Sequence, residues 1–126
     1  MSILENTMSF TLYGISTCDS CRKAKKWFDA QGIDYTWVDT RRSTPTKAQI
    51  TGWVATLGNK VMRNTSGGAY RALGEEKKTW NDKQWIEAFT NDPMLLKRPL
   101  IEQDNTAIMT GFRGSDDDIR SKLGLQ

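Results

Sequence analysis

An α/β fold on a small mixed sheet is what this sequence predicts, and three observations predict it. Ser9-Phe10-Thr11-Leu12-Tyr13 alternates apolar and polar residues, the period of a half-buried strand. Cys21, Ala24, Trp27 and Phe28 then follow Cys18 at helical spacing up to a stopping Gly32, and a second strand is expected over residues 35–39. Near the other end, two strand-like runs at 100–102 and 106–110 flank Asp104-Asn105, a pair suited to a tight hairpin turn.

Taken in order, residues 1–8 read as a frayed leader, and Gly14 ends the first strand. The helix after it begins at or near Cys18. Thr46 can cap a second helix, with Ile50, Trp53, Val54 and Leu57 on one face and Gly58 past its end. Residues 59–79 carry no clear period. Within them 61–63 are expected to close a short helix or turn, Ser66-Gly67-Gly68 to form a loop, and 71–74 to form a short helical piece. Asn81 with Gln84 three residues on makes a capping box for a helix bearing Trp85, Ile86 and Phe89, which Asn91-Asp92-Pro93 stops. Ser115 opens the last helix, with Ile119 and Leu123 inward and Gly124 at its end. Its acidic run Asp116-Asp117-Asp118 suits the positive end of the helix dipole and reads as a helix start, not a metal site.

The resulting order is β-α-β, a helical segment, then β-β-α. That is a thioredoxin-like (glutaredoxin-like) core with a four-stranded mixed sheet. It predicts a single domain over 9–124 with a helical insertion at 44–92, a lid or side lobe rather than an independent unit.

Composition bounds the function. The 126 residues suit one domain, and 37% hydrophobic with 26% charged residues is ordinary globular usage, enough for a core without disulfide staples. The net charge of +3 is spread along the chain, which suits a small anion better than nucleic acid. No apolar run approaches the ~20 residues of a membrane span, and the first residues lack signal-peptide features. A cytoplasmic location with reduced cysteines is therefore expected. The absence of histidine excludes a Ser-His-Asp triad, a Cys-His pair and His-ligated metal, and two cysteines supply only half a zinc site. No metal and no bound cofactor are expected.

The chemistry is expected at Thr17-Cys18-Asp19-Ser20-Cys21-Arg22. A sulfur at a helix start meets free N–H groups and the helix dipole, which favour the thiolate, the reactive form. Arg22, Lys23, Lys25 and Lys26 are expected to add positive potential. Cys18 is thus the candidate nucleophile. Cys21, one turn on, is placed to resolve a mixed disulfide or sulfenate on Cys18, or else fills the core.

Residues 13–27, from Tyr13-Gly14-Ile15-Ser16-Thr17-Cys18 to Trp27, resemble the opening of the arsenate reductase ArsC, Spx and YffB family. Lys97-Arg98-Pro99-Leu100-Ile101 is similar to that family's arginine-proline segment, and Gly111-Phe112-Arg113 with the acidic helix start also fits. The likeness spans residues 9–124, and 65–70 with the short C-terminus look most like the YffB branch. The resemblance implies a glutathione- or glutaredoxin-coupled oxidoreductase of the arsenate reductase kind, with glutathione as co-substrate. Cys18 would be its nucleophile. Arg63, Arg98 and Arg113 would hold an oxyanion, and Pro99 would be a supporting cis-proline. Arginine suits a tetrahedral oxyanion because its planar fork bonds bidentately and stays charged. Single-cysteine arsenate reductases lack a thiol at the place of Cys21, whereas Spx regulators use CxxC as a redox switch on RNA polymerase. The alternative is therefore a Spx-like regulator working through a Cys18–Cys21 switch.

Overall fold

The structure, a computed structural model, describes residues 8–125. The leader expected over residues 1–8 lies, Met8 apart, outside the described residues. Strands β1 (Phe10–Gly14), β2 (Thr36–Asp39), β3 (Leu100–Gln103) and β4 (Thr106–Thr110) form one sheet in the order β2-β1-β3-β4. β1 is parallel to β2 and antiparallel to β3, and β4 is antiparallel to β3. The parallel pair needs a crossover, which α1 (Asp19–Gln31) supplies. The β3–β4 hairpin turns at Asp104 and Asn105, both with positive φ (51° and 68°), the left-handed turn that matches strand twist.

Four more helices complete the fold: α2 (Lys47–Leu57), α3 (Gly68–Ala72), α4 (Asp82–Asn91) and α5 (Asp116–Lys122). Thr46, Asn81 and Ser115 each cap a helix with a reciprocal capping box. These three starts follow from local sequence because the cap side chain satisfies N–H groups that the helix leaves free. No helix among the described residues is long and apolar enough to cross a membrane.

The strand alternation sorts the core into two layers. Phe10 and Leu12 of β1 with Ile101 and Met109 meet Ala24 and Phe28 of α1 and Ile119 of α5 on one face. On the other face Tyr13, Leu100 and Ala107 meet Ile50, Trp53 and Val54 of α2, and Trp85 and Phe89 of α4. Ala107 and Met109 point to opposite faces although two residues apart. The register shift between Ile101 and Glu102 explains this: Ile101 pairs with Met109 and Glu102 with Ala107, so Ile108 is the extra residue of a bulge.

The structure refines the reading of residues 59–79. Of the short helix or turn expected at 61–63, the turn is what forms, and it ends in a bridge: Arg63 pairs with Leu96 in an isolated β-bridge. The Asn64 N–H donates to the Leu95 carbonyl and the Lys97 N–H to the Met62 carbonyl, both at 2.8 Å. The short helix α3 starts at Gly68, within the expected loop and before the expected 71–74. Two 3-10 turns, Glu75–Thr79 and Pro93–Leu95, were not signalled by periodicity. The bridge positions the site, since it fixes the 63–66 loop beside the Arg98 segment.

Candidate active site

Cys18 is the N-cap residue of α1, in extended conformation, just after the loop that leaves β1. Its N–H donates to the Ile15 carbonyl at 3.2 Å and its carbonyl accepts the first helical bond, from the Arg22 N–H at 3.0 Å. The thiol is half-buried. Burial alone would raise it, but the Cys21 N–H, the Cys21 thiol, the Arg98 charge and the Ser20 N–H together outweigh burial and hold it below the ordinary thiol value. The sulfur makes no hydrogen bond of regular cap geometry. The two N–H groups act on it as nearby dipoles, as the helix start predicts.

The helix start was the right source of this effect, and the basic run 22–26 was not. Arg22 pairs with Asp19 and donates to the Ser16 carbonyl, and Lys25 lies over the Trp37 ring, 4.4 Å from its centroid. Arg98, 80 positions away in sequence, supplies the cation that acts on the sulfur. Arg41, which the sequence reading missed, donates to the Thr17 hydroxyl at 3.3 Å and so braces the residue before Cys18.

Cys21 is 0% exposed and occupies the third helical position. It lies under Gly14: a Cβ built there would stand 2.4 Å from the Cys21 sulfur. Burial pushes its thiol up to about 12, and interaction with Cys18 pushes the same way. The pair is therefore asymmetric, with one accessible acidified thiol and one buried protonated thiol.

Cys18 opens onto a cleft of about 350 Å³ that four basic residues border, Arg63, Lys97, Arg98 and Arg113. No aspartate or glutamate borders it; Ser20, Asn64, Thr65, Ser66, Gly111 and Phe112 complete the lining. Arg98 is anchored by Nη1 bonds to the Leu96 carbonyl at 3.2 Å and the Met94 carbonyl at 3.5 Å. Its Nε is buried without a hydrogen-bond partner. The Arg98–Pro99 peptide bond is cis, and the Pro99 carbonyl accepts from the Gly111 N–H at 2.9 Å, tying this corner to the end of β4. Gly111 has φ of +78°, and a Cβ there would stand 2.9 Å from Lys97 Cε, so glycine is needed both for the turn and to let Lys97 lie across it. Arg113 is exposed and makes no hydrogen bond or ion pair among the described residues.

The three expected arginines are thus not alike. Arg98 and Arg113 border the cleft, and neither is in an ion pair among the described residues. Arg63 borders it, but its guanidinium donates to Asn59 Oδ1 and stacks on the Trp85 ring 4.1 Å from the centroid. Asn59 in turn donates to Asp82, at the start of α4. Lys97, Asn64 and Ser66 at the cleft were not singled out as site residues. The serine- and glycine-rich composition of 64–68 was their one local signal, and their placement depends on the bridge to 95–97.

The sheet order β2-β1-β3-β4 with α1 crossing between its parallel strands defines a thioredoxin-like α/β fold, and Cys18 at the start of α1 borders a basic cleft on it. The ArsC family profile matches residues 13–120, and the chain belongs to the ArsC family. It is 32% identical to the YusI protein of Bacillus subtilis, over 84% of this chain and 92% of that one. It is 27% identical to the global transcriptional regulator Spx 2 of Bacillus anthracis, over 89% and 85%. Among solved structures it is similar to the YFFB protein (26% identity, TM-score 0.75, 89% and 96% covered). The arsenate reductase of Vibrio cholerae shares the fold at 17% identity and TM-score 0.71, over 96% and 100%.

Proposed function

We propose that the protein is a glutathione- or glutaredoxin-coupled thiol oxidoreductase in which Cys18 attacks an anionic substrate held by Arg98 and Arg113. The observation that carries this reading is the cleft itself: an acidified thiol facing four basic residues and no carboxylate. With arsenate as substrate, the Cys18 thiolate bonds to arsenic and water leaves. A second, external thiol then attacks, two thiols end as a disulfide, and the two electrons reduce arsenate to arsenite. With a mixed disulfide as substrate, Cys18 displaces one thiol and an external thiol releases the other. An external resolving thiol suits the geometry because Cys21 is buried, with its thiol pushed up to about 12, while Cys18 is half-buried and held below the ordinary thiol value. Arg63 serves here to hold the insertion beside the cleft, through Asn59 and Trp85.

The test is NADPH consumption with glutathione reductase, glutathione and glutaredoxin, offered arsenate or a glutathionylated peptide. Turnover that Cys18→Ser abolishes and Cys21→Ser retains is expected. No turnover with arsenate rejects that substrate, and none with either rejects the enzyme.

A second reading, a redox-switched regulator of the Spx kind acting on RNA polymerase, is favoured by one observation: the Cys18 and Cys21 thiols lie close enough to influence each other's protonation. Polymerase capture that differs between oxidised and reduced protein supports it, and negligible capture in both states rejects it.

A further inference from the structure

On the face of the sheet covered by α2 lies a second cleft, of about 340 Å³, which the Cys18 chemistry does not use. Glu102 of β3 stands at it, only 8% exposed and one of two buried polar or charged residues among those described. Both carboxylate oxygens accept hydrogen bonds, from the Tyr13 hydroxyl at 2.9 Å and from Trp53 Nε1 at 2.7 Å. Two acceptor oxygens are the pattern of an ionised carboxylate. Yet both donors are neutral, and no ion pair among the described residues involves Glu102. No lysine or arginine borders the cleft. A desolvated carboxylate with no counter-charge draws a cation to the open side that it faces.

Two further features suit a ligand there. Tyr13 and Trp53, whose rings pack edge-to-face 4.9 Å apart between centroids, border the cleft, and aromatic rings attract an organic cation. Gly52 sits in the interior of α2 and borders the same space. Mid-helix glycine weakens a helix relative to alanine. Nothing in the fold asks for it: its φ is not positive, and an added Cβ would meet no atom within 4 Å. Without a side chain, this exposed position leaves its border of the cleft open. The volume is at the small end for ligand sites.

We propose that this cleft is a second binding site that takes the ammonium end of a small alkylamine, with Glu102 as counter-charge and Tyr13 and Trp53 as its aromatic walls. It complements the Cys18 cleft, which is built for anions, and does not depend on the reading given to that cleft. The probe is n-butylammonium chloride against n-butanol at fixed ionic strength, followed by the Trp53 indole N–H resonance of labelled protein. Butylammonium shifts that resonance saturably and butanol does not. Glu102→Gln weakens the response about tenfold or more, since a hydrogen bond to charge is lost. Gly52→Leu, which puts a bulky side chain at the border of the cleft and whose Cβ meets no atom within 4 Å, abolishes it; circular dichroism confirms that each variant is folded. Should Glu102→Gln fail to fold, Gly52→Leu decides. No saturable shift, an equal shift by butanol, or an unchanged shift in either folded variant overturns the proposal.

Discussion

Gly14 and Cys21 offer a quantitative test of the asymmetric cysteine pair. In Gly14→Ala the new Cβ would stand 2.4 Å from the Cys21 sulfur and 3.1 Å from a ring carbon of Trp37, against about 3.5–4.0 Å for a relaxed contact. β1 is held on both sides by β2 and β3, and Cys21 is 0% exposed, so neither backbone nor thiol has free room to move. Overpacking of this kind costs roughly 1–3 kcal/mol. At about 4 °C per kcal/mol for a domain of this size, the melting temperature falls by roughly 4–12 °C. Cys21→Ala removes the sulfur, by far the closest of these atoms, and leaves the residue-21 Cβ at 3.5 Å and the Trp37 ring carbon at 3.1 Å. The double variant therefore recovers most of the loss, with a coupling of about 1 kcal/mol or more between the sites. Urea unfolding of the four proteins at one temperature measures it. Additive effects, or a Gly14→Ala protein as stable as wild type, would refute the placement of Cys21 beneath β1.

Native protein treated with iodoacetamide near neutral pH is expected to take up one equivalent, on Cys18, and a second only on unfolding; mass spectrometry of the modified peptides checks this. Thr46→Ala removes the α2 cap and costs about 1 kcal/mol, seen as a lower urea midpoint at unchanged slope. Tyr13 is raised to about 12, first by burial and then by Glu102. The folded state keeps this proton longer than the unfolded chain, so the stability it contributes is complete below about 10 and lost as pH rises toward 12. Ultraviolet titration of Glu102→Gln then shows one tyrosine ionising at lower pH than in wild type.

The parts of this fold that were legible in sequence are those that local chemistry decides. Thr46, Asn81 and Ser115 cap their helices because a side chain and an N–H three residues apart suffice. Asp104-Asn105 turns because these residues tolerate positive φ. Cys18 is acidified by its own helix start, which the CxxC placement announces. Long-range pairing decided the rest. Residues 62–64 have no period of their own and take their shape from 95–97. Arg63 was legible as a basic residue of the family pattern, but its guanidinium is directed by Asn59 and by Trp85 of α4. Glu102 looked like an ordinary strand residue, because its partners Tyr13 and Trp53 lie 89 and 49 positions away.

The pH dependence of Cys18 alkylation in wild type and in Arg98→Met, with free cysteine as reference, shows whether the Cys18 thiol is activated by its surroundings. An activated thiol in a basic cleft requires an inflection below that of free cysteine in wild type, and its displacement upward in Arg98→Met, since the Arg98 charge is one of the groups that favour the thiolate. A wild-type profile that coincides with free cysteine, unchanged by the substitution, would contradict the account.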